Sequence, residues 1–187
     1  MAVGQACEAE PQAAPLTVEG LFRAHVNDVV RIVSRLLGPT ASNADVDDLT
    51  QQVFIQVHRS LPRFRGESAV TTWIYGIASR VVLQHLRGRR RYRSMIDRFE
   101  SSQVFDSSPP GVHETVEQRQ ALRRVWKALL RVKPERRVVF VLHEIEGLTA
   151  REIGEVLDLK EEAVRSRLRR ARADLSDRLA KDKENHR

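Results

Sequence analysis

The side chains with most to offer chemically are arginines. Arg165, Arg169 and Arg170, with Ser166 among them, stand in the stretch VRSRLRRAR, residues 164–172. Wound as a helix at about 100° per residue, Val164, Leu168, Ala171 and Leu175 share one narrow arc, and Arg165, Ser166, Arg169 and Arg170 point to the far side. One side of the helix is made for burial; the other presents planar guanidinium groups. Such forks can chelate guanine edges in a major groove or clamp phosphate oxygens. The competing reading is the solvated face of an ordinary helical hairpin.

A second block, residues 63–93, reads RFRGESAVTTWIYGIASRVVLQHLRGRRRYR. Arg63, Arg65, Arg80, Arg87, Arg89, Arg90, Arg91 and Arg93 interleave with Phe64, Trp73, Tyr75 and Tyr92. Bases that leave a duplex stack on aromatic rings while cations hold the backbone. Against this stand two plain alternatives. A Trp or Tyr on a helix is commonly core, and an arginine run suits the negative end of a helix dipole. A third set, Asp47, Asp48, Gln51 and Gln52 beside Phe54, has no metal-ligand spacing and by itself reads as a solvated first turn. Enzyme signatures are missing. His143-Glu144-Ile145-Glu146 opens like a zinc-protease helix but lacks the second histidine, and no glycine-rich phosphate loop is present. The expectation is a protein that is not an enzyme and uses no cofactor or metal.

Composition agrees. Of 187 residues, 30% are charged, 41% hydrophobic and only 5% aromatic, which suits small helical domains better than one large aromatic core. Lys+Arg 32 against Asp+Glu 25 leaves +7, a balance that favours a polyanionic partner. Residues 17–93 hold 12 basic and 6 acidic side chains, and residues 114–187 hold 19 and 14, so two basic blocks flank a mildly acidic segment. A single cysteine, Cys7, excludes an internal disulfide and any Cys-based zinc site. No signal-peptide pattern and no run of about 18 apolar residues occurs. The expectation is therefore a cytoplasmic protein without direct membrane insertion.

The elements that must position these groups all read as helix. Leu21, Phe22, Val26, Val29, Val30, Val33, Leu36 and Leu37 recur at helical spacing, ending at Gly38-Pro39. A second helix is expected over about Asp45–His58, with acids in its first turn. After a Pro62–Gly66 loop, Ser68 is expected to cap a long helix to about Arg91. Ser107-Ser108-Pro109-Pro110-Gly111 cannot continue a helix. A helix over 114–132, with Leu122, Val125, Trp126, Leu129 and Leu130 as its stripe, precedes one from Pro134 to about Glu146. Thr149 and Glu152 form a capping box for a short helix. A turn at Leu157-Asp158-Leu159 leads to a last helix from about Lys160 to Ala180, a helix-turn-helix pattern. The fold class is all-α: two small helical domains joined by a flexible linker, the second containing the helix-turn-helix. Boundaries fall at a disordered tail 1–16, a first domain 17–93, a linker 94–113, a second domain 114–180 and a charged tail 181–187.

In this order the motifs resemble those of a known family. DVDDLTQQVFIQVHRSLPRFRGESAVTTWIYGIAS is similar to the second conserved region of bacterial RNA polymerase sigma factors, specifically the extracytoplasmic-function group. VKPERRVVFVLHEIEGLTAREIGEVLDLKEEAVRSRLRRARADL resembles their fourth region. The resemblance implies a regulated alternative sigma factor that binds core RNA polymerase, recognises minus-ten and minus-thirty-five promoter elements and initiates transcription. Asp45, Asp48, Leu49, Gln51 and Phe54 would lie in the helix that docks on the polymerase clamp. Phe64, Arg65, Glu67 and Ser68 would form the loop that captures an extruded base. Trp73, Arg80, Gln84 and Arg87 would face the melted strand. Arg165, Ser166, Arg169 and Arg170 would read the upstream element. The partners implied are core polymerase, promoter DNA and an anti-sigma factor, with no small-molecule substrate. Departures from the family pattern fall at Gln52, His58, Val70, Arg80 and Lys160-Glu161-Glu162-Ala163. Two other classes compete. A plain helix-turn-helix regulator has no need of the arginine and aromatic block, and a nuclease needs clustered carboxylates or histidines.

Overall fold

The computed structural model describes residues 16–38, 41–96 and 116–184. Residues 1–15 of the tail expected over 1–16, Cys7 among them, lie outside these, as do Pro39 and the Ser107–Gly111 segment. Every regular element among the described residues is helical: α1 Val18–Leu37, α2 Asn43–Ser60, a 3₁₀ turn Leu61–Arg63, α3 Val70–Ile96, α4 Val116–Leu130, α5 Pro134–Phe140, a π turn Val141–Ile145, α6 Ala150–Leu157 and α7 Glu161–Glu184.

Local chemistry sets most boundaries. Thr17 caps α1 by accepting from the Gly20 N–H, and Gly38, at φ 91°, ends it by donating to Ser34 O. Ser42 caps α2, two residues ahead of the expected start, because its hydroxyl accepts from the Asp45 N–H. The long third helix opens at Val70, with the Trp73 N–H donating to Ala69 O, so Ala69 and not Ser68 holds its boundary. It runs on through Ile96, past the expected linker start at Ser94, as α7 runs past Ala180 to Glu184. The helix expected over 134–146 is α-helical only to Phe140. It then widens into the π turn, closed by Glu146 N–H to Val141 O at 3.1 Å.

Helices α1, α2 and α3 pack on one another around Val29, Ile32, Val33 and Leu36, Leu49, Val53 and Val57, and Ile74, Ile77, Ala78 and Val82. Helices α4 to α7 enclose Leu129, Val138, Val139, Leu142, Ile153, Val164, Leu168 and Ala171. Each Val, Leu or Ile among them contributes roughly 1.5–3 kcal/mol when fully buried. The two cores touch, through α3 against α5 and α6, and form one continuous apolar cluster. Two expected core positions differ. Phe22 is 46% exposed and Leu122 45%, since each lies at the margin of its helix's buried stripe. Arg137 is a buried cation. Burial lowers its pKa, and its guanidinium donates to Leu130 O at 3.2 Å, closing a carbonyl left open at the C-terminal end of α4.

Two glycines give opposite expectations for the same change. A Cβ on Gly154 would lie 2.7 Å from the carbonyl oxygen of Leu159, the tight point of the helix-turn-helix; one on Gly88 would meet nothing within 4 Å. Gly88→Ala should stabilise by up to about 1 kcal/mol through helix propensity. Gly154→Ala should destabilise by about 1–3 kcal/mol, because overpacking outweighs the same propensity gain. Thermal melting of both variants checks the pair; two shifts of the same sign would contradict the packing at Leu159.

Candidate nucleic-acid interface

The helix-turn-helix is held by bonds local in sequence. Thr149 Oγ1 accepts from the Glu152 N–H at 3.2 Å, and the Glu152 carboxylate accepts from the Thr149 N–H at 2.8 Å and its hydroxyl at 2.7 Å. These bonds, the hydroxyl first, hold the Glu152 carboxyl below its ordinary pKa. Asp158 takes the left-handed conformation at φ 56°, ψ 56° and turns the chain into α7. Val164, Leu168 and Ala171 are buried, Arg165, Arg169 and Arg170 are exposed, and Ser166 is half-buried.

Ion pairs sort the arginines of α7. Arg172 forks onto Glu144 at 2.8 and 2.6 Å, and Arg136 reaches Asp174 at 2.7 Å, fastening α7 to the α5 segment. Arg165 is tied to Glu161 one turn earlier, an exposed pair that a phosphate or base edge could displace. The truncated zinc-protease pattern also finds its place here: His143 Nδ1 lies 2.8 Å from Leu148 O, closing the loop before α6. Among the described residues no group of three His, Cys, Asp or Glu could hold a metal. Among them, too, no helix is long and apolar enough to cross a membrane.

The first basic block divides in two. Phe64, just after the 3₁₀ turn, and Trp73, on the first turn of α3, stack with ring centroids 4.6 Å apart, tilted by 37°. Both are half-buried, so each keeps an accessible edge. Between them Gly66 at φ 73° turns the loop, and Arg65 and Glu67 stand in solvent 3.9 Å apart, with Ser68 half-buried behind. Tyr75 differs from the sequence reading. It is 6% exposed, burial pushes its phenol up, and the Arg31 guanidinium beside it opposes that rise, so it is a core residue and offers no stacking platform. The side chain of Tyr92 lies outside the described residues. Arg80, Gln84 and Arg87 form an exposed edge of α3, at helical spacings of four and three. That edge lines a cleft of about 410 Å³ whose opposite wall holds Glu135, Leu157, Leu159 and Arg167.

On α2, Asp48 and Gln51 are exposed, whereas Leu49 is 1% exposed and faces the core, so it supplies no surface. Asp45 is half-buried and pairs with Arg89 at 3.5 Å. Phe54 is largely buried under Phe22, their rings 4.8 Å apart and edge-on. Sequence reading passed over Ile55, 49% exposed beside Gln51 and Gln52. Its signal was an isoleucine off the buried stripe of Leu49, Val53 and Val57.

Comparison with known proteins matches both halves. The family model of Sigma-70 region 2 fits residues 21–92, and that of Sigma-70, region 4, fits residues 122–175. The ECF RNA polymerase sigma-E factor of Escherichia coli is 33% identical over 156 residues, 79% of this chain and 80% of that protein. The ECF RNA polymerase sigma factor SigE of Mycolicibacterium smegmatis is 34% identical over 172 residues, which cover 91% of this chain and 64% of that relative's length. In fold, the chain is similar to the sigma factor RpoE solved in complex with the anti-sigma factor NepR from Bartonella quintana, with a TM-score of 0.67 and 17% identity over 87% of this chain and 96% of that one. It is also similar to CnrH solved in complex with the cytosolic domain of CnrY, at 0.57 and 24% over 88% of each. With the arginine face on its helix-turn-helix, the stacked aromatic pair on its first half and relatives matched across both, the chain belongs to the extracytoplasmic-function family of RNA polymerase sigma factors.

Proposed function

We propose that this chain is a regulated alternative sigma factor: it joins core RNA polymerase, opens the minus-ten element with its first half and reads the minus-thirty-five element with its second. The observation that carries the reading is the pairing of two unlike nucleic-acid surfaces in one chain. One is a guanidinium face on a duplex-reading helix; the other is a stacked Phe64–Trp73 pair beside the basic edge Arg80, Gln84 and Arg87. A duplex regulator uses the first and has no use for the second. In this reading Phe64, Arg65, Glu67 and Ser68 hold an extruded base, and Trp73 supports it. Arg165, Ser166, Arg169 and Arg170 contact the upstream duplex. Asp48 and Gln51, with Ile55 between helix turns, form the polymerase contact, and Asp45 and Phe54 shape its edge. An anti-sigma factor is the regulatory partner, as NepR is for its RpoE. The protein so described works in the cytoplasm. The test is reconstitution: core polymerase plus this protein should start transcription at a specific promoter, and failure on any promoter, with tight duplex binding by the protein alone, would favour a plain regulator.

Three variants probe the three surfaces. Arg169→Ala removes an exposed guanidinium with no ion pair among the described residues. It should weaken promoter use by about 1–3 kcal/mol at one upstream base pair while leaving polymerase binding intact; a wild-type transcription profile would contradict the face assignment. Trp73→Ala should impair initiation on duplex promoters, and a template with a pre-opened bubble should rescue most of the loss. Since a half-buried Trp also packs against the core, its loss costs stability, up to the about 3–5 kcal/mol of a fully buried one; a melting curve must first show the variant folded, and equal defects on both templates would remove Trp73 from the opening step. Asp48→Arg, on an exposed turn, should shift stability by no more than about 0.5 kcal/mol. It should nevertheless reduce co-purification with core polymerase, and undiminished co-purification would refute the α2 contact.

A further inference from the structure

Helix α7, the duplex-reading helix of the proposed function, opens with two acids, Glu161 and Glu162. They fall in the Lys160–Ala163 stretch, where the sequence departs from the family pattern. Each repels a phosphate backbone, and the positive end of the helix dipole accounts for both equally. Only one of them engages an arginine of the outward face. Glu161 accepts from Arg165 Nε at 3.0 Å and from Nη2 at 2.5 Å, both at the same carboxylate oxygen. Among the described residues no ion pair involves Glu162.

Which donors are taken decides what Arg165 can still do. Nε and Nη2 form the side edge of the guanidinium, so the acid occupies that edge and leaves the end-on pair of Nη atoms open. A guanidinium carries five N–H donors in a fixed fork, and the open pair matches guanine O6 and N7. Around the helix Glu161 lies about 60° and Arg165 about 100° from the buried Val164, on the same side. The acid therefore stands on the shoulder between the core stripe and the outward face, behind the arginine as DNA would meet it. The Arg165 side chain is 72% exposed and that of Glu161 40%, and neither residue belongs to the apolar core. A pair so exposed adds little to stability, so its consequence is for where the fork points.

We propose that Glu161 is a positioning residue for base recognition: it holds Arg165 with the open fork outward and so sharpens the preference for guanine at one position of the upstream element. The inference rests on the sigma-factor reading for placing this helix on a promoter. A free arginine swings to phosphates or to any single acceptor on a base edge; a held one presents paired donors. Ordering a long side chain beforehand also removes part of the cost of binding. A phosphate approaching from the side has to displace the acid, whereas a guanine met end-on does not. Glu161 thus lowers affinity for DNA in general and raises selectivity at one base pair.

The test uses the full chain with core polymerase on promoters changed one base pair at a time, and the full chain alone on a dye-labelled duplex of random sequence. Arg165→Ala locates the position at which guanine preference is lost. Glu161→Ala should lower the preference at that same position by about two- to tenfold, the range that ordering one side chain spans, and at no other. It should also tighten binding to the random duplex, because it removes a negative charge; a variant that merely weakened the helix would do the reverse. Glu162→Ala removes the same charge from the same turn, and should tighten random-duplex binding while leaving the preference at its wild-type value. Glu161→Gln keeps the length and the acceptor without the charge, so it should retain more of the preference than Glu161→Ala. Unchanged preference in Glu161→Ala, a loss spread over every position, weaker binding to the random duplex, an equal loss of preference in Glu162→Ala, or no difference between the Gln and Ala variants would each overturn the assignment. Absence of promoter-specific transcription by wild type would instead overturn the sigma-factor reading. An active wild type whose preferences all survive Arg165→Ala would overturn Arg165 as a reader, and Glu161 with it.

Discussion

Burial of the α7 stripe decides how the second half can be used. Val164, Leu168 and Ala171 go inward against the α5 segment and α6, and from that moment every other side chain on the helix has an assigned direction. Arginine cannot share the stripe, because a guanidinium keeps its charge and burying it costs several kcal/mol unless it is paired. The arginines on and beside this seam are then divided by acids: Arg136 and Arg172 are consumed in fastening, Arg165 is loosely tied, and Arg169 and Arg170 remain outward. Arg137 is the exception, buried against a carbonyl and with its pKa lowered for it. A helix this rich in cations becomes a reader only with the guanidinium groups its own fold leaves over.

The same sorting operates on α3, with a different outcome. Its buried residues include the small or polar Thr72, Gly76, Ala78 and Ser79 as well as the aliphatics Ile74, Ile77 and Val82. Such a helix is enclosed on more than one side, by α1 and α2 and by α5 and α6. The edge Arg80, Gln84 and Arg87 and the Phe64–Trp73 corner are left for chemistry. That is why Tyr75, which looked equivalent to Trp73 in the sequence, proves to be core: the two side chains are separated by about 200° around the helix.

Features set by neighbouring residues were legible from sequence. The Thr149–Glu152 box, the turn at Asp158 and the α7 stripe each follow from a few adjacent side chains, and all appear as read. The all-α class followed from the absence of period-2 alternation. Features that depend on a partner across space were not legible. Leu49 has the same periodicity whether it faces a core or a polymerase, and Ile55 carries no mark of exposure beyond being out of phase with its stripe. By propensity alone a glycine inside a helix is a weak point, yet Gly76 is a seat for Val156. Arg35 donates to Glu146 across 111 residues of sequence, and nothing in either neighbourhood announces the other. Helix ends fell within a few residues of expectation, and the departures were toward longer helices at α2, α3 and α7 and shorter ones at α4 and α5.

The π turn at Val141–Ile145 sets the phase of the residues that come after it. A π turn amounts to one residue inserted into an α-helix. Everything after the insertion is rotated by about 100° relative to an uninterrupted helix. Glu146 comes immediately after that rotation, and Gly147, at φ 75°, then releases the chain toward the helix-turn-helix. Without the extra residue the carboxylate would point elsewhere and Arg35 would face a different side chain. Contact between the halves is thus encoded by an insertion as much as by the identities of the residues that meet. A relative could lose or gain that contact by changing the length of one short segment while keeping every charged residue it has.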